Sequence, residues 1–114
     1  MPLSPQFYEQ TLARFQQVRP VTAKKMFGGA SLYVGEVAFA ILDDDLIFFK
    51  TDDANRPDFE AHGMGPWHVM PNSEKYRELP AHVLESDDVL AEWVDRACEA
   101  SARISAAKKP KRKS

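Results

Sequence analysis

The sequence has 114 residues, of which 44% are hydrophobic and 28% charged, and a formal net charge of −2. This length predicts a single domain with one hydrophobic core. No apolar run approaches the roughly 20 residues that cross a bilayer, and Met1–Gln6 lacks the features of a secretory signal, so we expect a cytoplasmic protein without a membrane partner. Cys98 is the single cysteine, which excludes an internal disulfide and a multi-cysteine metal site.

The basic residues are unevenly distributed along the chain. Five of the last seven residues are basic: Lys108, Lys109, Lys111, Arg112 and Lys113. Without them, ten basic residues face seventeen acidic ones, which gives the rest of the chain a net charge of −7. We therefore expect a folded domain over residues 1–105 and a disordered basic tail over residues 106–114. The tail is the part that could bind nucleic acid, weakly and without sequence preference.

The first half of the chain predicts one helix followed by a run of strands. Ser4 can cap a helix that ends near Val18, and Pro5 suits its first position. The apolar period then changes to two residues, which predicts the strands Thr22–Met26, Ala30–Val34, Val37–Leu42 and Leu46–Thr51. Gly35-Glu36 fits a two-residue hairpin turn, and Asp43-Asp44-Asp45 fits a slightly longer one. These connections are too short for crossover helices, so we expect an antiparallel meander. Both faces of Val37–Leu42 are apolar, which predicts a central strand that is covered on both sides.

The second half predicts a short helix, one or two strands and a long final helix. Asp52 or Asp53 is expected to cap the short helix, and Gly63 to end it. Trp67–Met70 and Lys75–Leu79 are the candidate strands. Ser86 can cap the last helix, in which Trp93 is expected to be largely buried. The predicted fold class is α+β, an antiparallel sheet meander with flanking helices.

The stretch Met26-Phe27-Gly28-Gly29 is the most conspicuous local motif. It is not a Walker loop, because no Gly-Lys-Ser/Thr follows, and a strand rather than a helix comes after it. The favoured interpretation is a backbone kink between strands at which a side chain would clash. A second interpretation is a small site for an anion or a partner, formed by Lys24, Lys25, Gly28 and Gly29.

No catalytic or metal-binding constellation is apparent. Asp43-Asp44-Asp45 lacks the glycine and the terminal glutamate of a calcium loop, so a solvated hairpin turn is expected. The histidines His62, His68 and His82 lack zinc-ligand spacing. Cys98 on an amphipathic helix is more typical of a small apolar residue than of a nucleophile. We therefore expect no enzyme activity and no cofactor.

Several segments, in their order along the chain, resemble the N-terminal domain of the TfoX/Sxy family. They are Lys24-Lys25-Met26-Phe27-Gly28-Gly29, Leu32-Tyr33, Ala38-Phe39-Ala40, Leu46–Lys50, Asn55–Glu60, Tyr76, Leu79-Pro80, Val83-Leu84 and the Leu90–Ala97 helix. The resemblance covers roughly Ser4–Ala102. It implies a curved antiparallel sheet with helices, similar to YjbR-like and secretion-chaperone-like folds.

The same resemblance implies a regulatory function. The family is associated with natural competence for DNA uptake, and its fuller members carry an additional C-terminal helical domain that we expect this protein to lack. We therefore expect a standalone member that acts as a non-enzymatic regulatory or protein-interaction domain. Its expected partner is a protein, including a second copy of itself in a homodimer. The alternative is a nucleic-acid-associated protein that uses the basic tail, and a small-ligand-binding protein ranks below both.

Overall fold

The computed structural model describes residues 3–26, 28–69, 71–72 and 74–108, with only the backbone of Lys108. The described chain contains three α-helices and five strands, with a 3₁₀ turn at Ala81–Glu85 between β5 and α3. Their bounds are α1 Pro5–Gln16, β1 Val21–Met26, β2 Gly29–Val34, β3 Val37–Asp43, β4 Leu46–Lys50, α2 Arg56–Glu60, β5 Tyr76–Glu78 and α3 Asp87–Lys108. The predicted α+β class and order of elements are thus confirmed. No helix in the described part of the chain is long and apolar enough to cross a membrane.

The five strands form one antiparallel sheet in the order β1-β2-β3-β4-β5, which is the expected meander. Gly35 opens the β2–β3 turn with φ +63°, as predicted. The β3–β4 turn is tighter than expected: Asp43 pairs with Leu46. The two residues between them, Asp44 and Asp45, have φ of +54° and +56°. Two left-handed residues give a turn twist that matches the twist of the flanking strands.

The core lies between one face of the sheet and helices α1 and α3. Phe15 of α1 meets Phe39 of β3 and Phe49 of β4, with ring centroids 5.5–5.9 Å apart within this trio. A register shift between β2 and β3 leaves Phe39 as the extra residue opposite Leu32 and Tyr33. We call the opposite side of the sheet its outer face.

The central strand β3 is covered on both sides, as its composition predicts. Phe39 and Leu42 are fully buried in the core between sheet and helices. Ile41, on the outer face, is 5% exposed, and its β4 partner Phe48 is 2% exposed. Phe48 packs against Trp67 and His68, with ring centroids 6.3 Å and 5.9 Å away. The segment that contains Trp67 is therefore what covers the outer face of β3 and β4.

The helix ends show which local signals were sufficient. Ser4 Oγ accepts a hydrogen bond from Phe7 N–H at 3.2 Å, and Ser86 Oγ accepts one from Val89 N–H at 3.4 Å, so both predicted caps form. The predicted cap of α2 at Asp52 or Asp53 is wrong, because Asn55 occupies that position without a side-chain cap bond.

Trp93 is partly buried and packs against the core. Its indole packs edge-on against Phe59 at 4.8 Å, at the rim of the core. Its neighbours on the same helix face, Leu90, Val94 and Ala97, are fully buried.

Residues 52–74 form one excursion from the sheet that is closed at its base. Thr51 N–H donates to Lys75 O and Thr51 Oγ–H donates to Glu74 O, both at 2.7 Å. The prediction of a strand at Trp67–Met70 is wrong: Trp67–Val69 is turn and irregular structure, and Met70 lies outside the described residues. The neighbouring Pro66 forms an isolated bridge with Arg77. Proline has no N–H for a ladder, and the Trp67 side chain packs against Phe48 on the outer face.

Helix α3 extends three residues beyond the boundary expected at residue 105. Ala106 and Ala107 have high helix propensity, and Pro110 is the first residue that opposes a helix. Arg103 anchors this end by pairing with Asp52 at the base of the excursion. The tail residues Lys109, Lys111, Arg112 and Lys113 lie outside the described residues, and Lys108 is described by its backbone only.

Candidate functional site: a cleft on the outer face of the sheet

The sequence-predicted site at the glycine corner is divided by the sheet. Lys24 and Lys25 are consecutive residues of β1, so their side chains point to opposite faces. Lys25 lies on the α1 side, where its amine is 4.7 Å from the centroid of the Tyr8 ring. Lys24 pairs in register with Ser31, in the row that continues to Ile41 on the outer face. The two lysines therefore do not converge on one ligand.

Lys25, Gly28 and Gly29 do come together around a cavity of about 350 Å³ beside the start of α1. Gly28 has φ +82°, and its carbonyl accepts a hydrogen bond from Leu3 N–H at 2.8 Å. Gly29 is required by close approach, because a Cβ there would lie 2.5 Å from the carbonyl oxygen of Leu42. The positive φ of Gly28 and the close approach of the backbone at Gly29 thus account for both glycines without a ligand.

A more apolar site lies on the outer face, and we call it the outer-face cleft. Its volume is about 270 Å³. It is lined by Met26, Gly29, Ala30, Ile41, Asp43, Trp67 and Val69. Met26 is 37% exposed and Val69 is 57% exposed, and they are the exposed large hydrophobic residues of the described chain. Both of them line this cleft.

The wall of the cleft is held by a bond between distant parts of the chain. Trp67 Nε1–H donates to Asp43 Oδ2 at 3.0 Å, and His68 Nε2 lies 3.4 Å from the same oxygen. Trp67 also packs against Tyr76 at 5.5 Å. Lys50 Nζ in turn donates to the Tyr76 hydroxyl at 2.9 Å. Trp67 and Tyr76 thus form an aromatic wall. The Asp43 carboxylate, which accepts the Trp67 bond, places one acidic group beside this apolar surface.

Among the described residues, no group of three or more His, Cys, Asp or Glu side chains is placed to hold a metal ion. Burial, with a smaller effect of Asp95, raises the pKa of Cys98 to about 11, so its thiol is protonated at neutral pH. His62 and His82 have ring centroids 4.7 Å apart on the surface beside Trp93.

Sequence reasoning did not identify the outer-face cleft. Its residues come from β1, β2, β3 and the excursion, and the sequence predicts a strand at Trp67 and Val69. One signal was available: Val69 is an apolar residue between Pro66 and Pro71, in a segment without a usable β period. Apolar side chains in such a loop are often there to cover a surface or bind a partner.

The fold defines a small α+β domain built on a five-stranded antiparallel meander with its helices on one face. The sequence-family model of the TfoX N-terminal domain matches residues 13–101, which is most of the chain. This protein therefore belongs to the TfoX N-terminal domain family, as the resemblance implied. No curated protein matches the sequence significantly.

Proposed function

We propose that this protein is a non-enzymatic regulatory domain that binds another protein at the outer-face cleft. The observation that carries the proposal is the position of Met26 and Val69. These exposed apolar side chains of the described residues share one cleft instead of being scattered. Concentrated apolar exposure marks interaction sites, whereas single exposed apolar residues are ordinary.

The size of the cleft favours a protein over a small molecule. Ligand pockets usually measure about 300–1,000 Å³. The outer-face cleft, at about 270 Å³, is smaller and suits one or two side chains of a partner. Trp67 supplies a large aromatic surface of the kind found at interaction hot spots, and Asp43 fixes its orientation.

Family membership supports the regulatory part of the proposal. The TfoX/Sxy family is associated with competence regulation, and a domain that binds a protein partner suits a role in regulation. A role of this chain in competence or transcription is proposed on that basis.

Affinity capture with matched variants tests the function. The immobilised protein, Val69→Asp and Ala102→Asp are each incubated with an extract of the cells that express the chain. Val69 and Ala102 are both exposed, so neither substitution should unfold the domain, which circular dichroism checks. The wild type and Ala102→Asp should retain a partner that Val69→Asp loses. Equal retention by all three, or a strictly monomeric protein that captures nothing, would refute the proposal.

A further inference from the structure

The two edges of the sheet differ in how they are covered. At the β5 edge, Glu78 N–H donates to Gly65 O at 2.9 Å, and Pro66 forms a bridge with Arg77. The excursion thus occupies this edge. At the other edge, β1 is six residues long, and no described strand pairs with its free side. An uncovered strand edge presents unpaired N–H and C=O groups to solvent.

The hydrogen bonds of Val21 identify which groups of β1 point away from the sheet. Val21 N–H donates to Arg19 O at 2.8 Å, and Val21 O accepts from Gln16 Nε2 at 3.0 Å. Val21 therefore directs its backbone outward, and its groups are satisfied locally. Because this direction alternates along an antiparallel strand, Ala23 and Lys25 also direct their N–H and C=O groups outward. Within the described residues, no bond to these outward groups is found.

The same short segment carries two positive charges that form no ion pair with a described carboxylate. The six described arginines all form ion pairs with carboxylates: Arg14, Arg19, Arg56, Arg77, Arg96 and Arg103. Lys24 and Lys25 are both exposed, and neither pairs with a carboxylate of the described chain. One lies on each face of the sheet, on either side of the free backbone groups of β1. These two cations flank an open strand edge, on a chain whose residues 1–107 have a net charge of −7.

From these observations we infer that the β1 edge accepts an extended acidic segment of the partner protein, which adds as a sixth strand. This inference rests on the proposed function and names the chemistry of its partner. The backbone of the segment would bond to the outward groups of Ala23 and Lys25. Its carboxylates would face Lys24 on one side and Lys25 on the other, and an apolar residue would lie beside Met26 at the rim of the outer-face cleft. Strand addition of this kind takes its affinity from main-chain bonds and its specificity from alternate side chains.

Charge also decides against a second copy of this chain as the occupant. Two β1 strands paired antiparallel would bring the lysines of one copy close to those of the other, and like charges on neighbouring strands are destabilising. Lysine on an edge strand is a known device against self-pairing. An acidic segment has the opposite requirement and gains from both lysines.

The test uses the acetylated peptide Val-Glu-Glu-Val-Val-Glu-Glu-Val, whose consecutive glutamates point to opposite faces of an added strand, and its counterpart with lysine in place of glutamate. Hydrogen exchange of the whole protein is followed by NMR with and without each peptide. The acidic peptide should slow exchange at the Ala23 and Lys25 amides, and the lysine peptide should not. Protection elsewhere only, equal binding of both peptides, or a dimer held by β1 in light scattering would overturn the inference.

Matched variants separate the charges from the backbone groups. The double substitution of Lys24→Gln and Lys25→Gln should lower the affinity for the acidic peptide about tenfold, which is the scale of two exposed ion pairs. Ala102→Glu with Ser105→Glu lowers the net charge by the same two units on an exposed part of α3 and should change affinity much less. Ala23→Pro removes an outward N–H without removing a sheet bond, and should also weaken binding. If both double variants lower the affinity for the acidic peptide equally, net charge alone explains the effect and the inference is overturned.

The capture experiment distinguishes failure of this inference from failure of the proposed function. If the partner is lost by Val69→Asp but retained in full by the lysine variants and Ala23→Pro, the cleft binds a protein and the strand edge does not. If no variant and no wild-type protein retains a partner, the proposed function itself fails. Loss of the same partner in both sets supports both.

Discussion

At the scale of single residues, Gly29 has the clearest structural constraint. Its Cα passes so close to the neighbouring strand that a Cβ would lie 2.5 Å from Leu42 O, a backbone atom that cannot move independently. Gly29→Val should therefore destabilise the fold by about 3 kcal/mol or more, as overpacking in a rigid position does. Urea unfolding measures the change.

Gly65→Ala is the matched control for this substitution. A Cβ at Gly65 would meet no atom within 4 Å, so we expect the control to unfold close to the wild type. If Gly29→Val instead unfolds like the wild type but loses a bound anion, the glycine corner is a ligand site and the packing explanation is wrong.

The Cys98 thiol should be slow to react. With a pKa of about 11 instead of 9.0, about one thiol in a thousand is ionised at pH 8, against about one in ten. Labelling with a disulfide reagent at pH 8 should thus be about 100-fold slower in the folded protein than in urea, and should accelerate up to about pH 11. A folded rate equal to the rate in urea would show that the thiol is not buried as described.

At the scale of elements, a two-bond contact joins the connection between α1 and β1 to α3. Arg19 donates to both carboxylate oxygens of Asp95, at 2.8 Å and 2.7 Å. The hydrogen bond from Arg19 lowers the pKa of Asp95 below 3.8, although burial opposes the shift. A carboxyl with a depressed folded pKa stabilises the protein above its unfolded pKa, and this stabilisation is lost as pH falls through the folded value.

Arg19→Gln should therefore reduce stability at pH 6, with a difference from the wild type that narrows below about pH 4. Urea midpoints at pH 6, 4 and 2.5 measure this narrowing. Lys24→Gln removes the same charge at a residue without a carboxylate partner in the described chain, and its difference from the wild type should stay nearly constant. A constant difference for Arg19→Gln as well would show that the contact does not persist in solution.

The sequence predicted those elements whose determinants lie within a few residues of one another. The caps at Ser4 and Ser86 and the turn at Gly35 depend on bonds or φ angles that local chemistry decides. The strand prediction at Trp67 is wrong, because Trp67 instead contacts Asp43, 24 residues earlier, and Phe48. Such long-range bonds have no periodic signal.

The candidate site was predicted less well than the fold for the same reason. Lys24 and Lys25 are adjacent in sequence, which suggested one site, but strand alternation places them on opposite faces. The outer-face cleft joins residues that are far apart in sequence, such as Met26 and Val69. Its apolar character depends on the tertiary fold, so no local motif predicts it.

At the scale of the whole molecule, the separation of charge yields a prediction about nucleic acid. Deletion of residues 108–114 should abolish any DNA retention and leave the fold intact. Binding by such a tail would be weak, independent of sequence and steeply reduced by salt, because it comes from the release of counterions around phosphates. The remaining chain, with a net charge of −7, would repel a duplex.

Titration of DNA into the full and truncated proteins at low and moderate salt measures this. Circular dichroism of the truncated protein serves as the control for folding. Tight, sequence-specific binding by the truncated protein would mean that the folded domain itself recognises DNA, and the protein-interaction role would then be incorrect.

The closed base of the excursion at residues 52–74 has a consequence for how the family can diverge. Because Thr51 bonds to Lys75 and Glu74, the end of β4 is held next to the start of β5. The segment between them therefore resembles an insertion into the sheet. Changes in the exposed part of this segment, away from the buried Phe59 and the Gly65–Glu78 bond, need not disturb strand pairing, as is usual for a surface segment whose ends are fixed. Trp67 and Val69, one wall of the cleft, belong to this insert, whereas Met26 and Ile41 belong to the sheet. We therefore expect relatives to share the sheet and to differ in their partners mainly through sequence changes in the exposed part of this one segment.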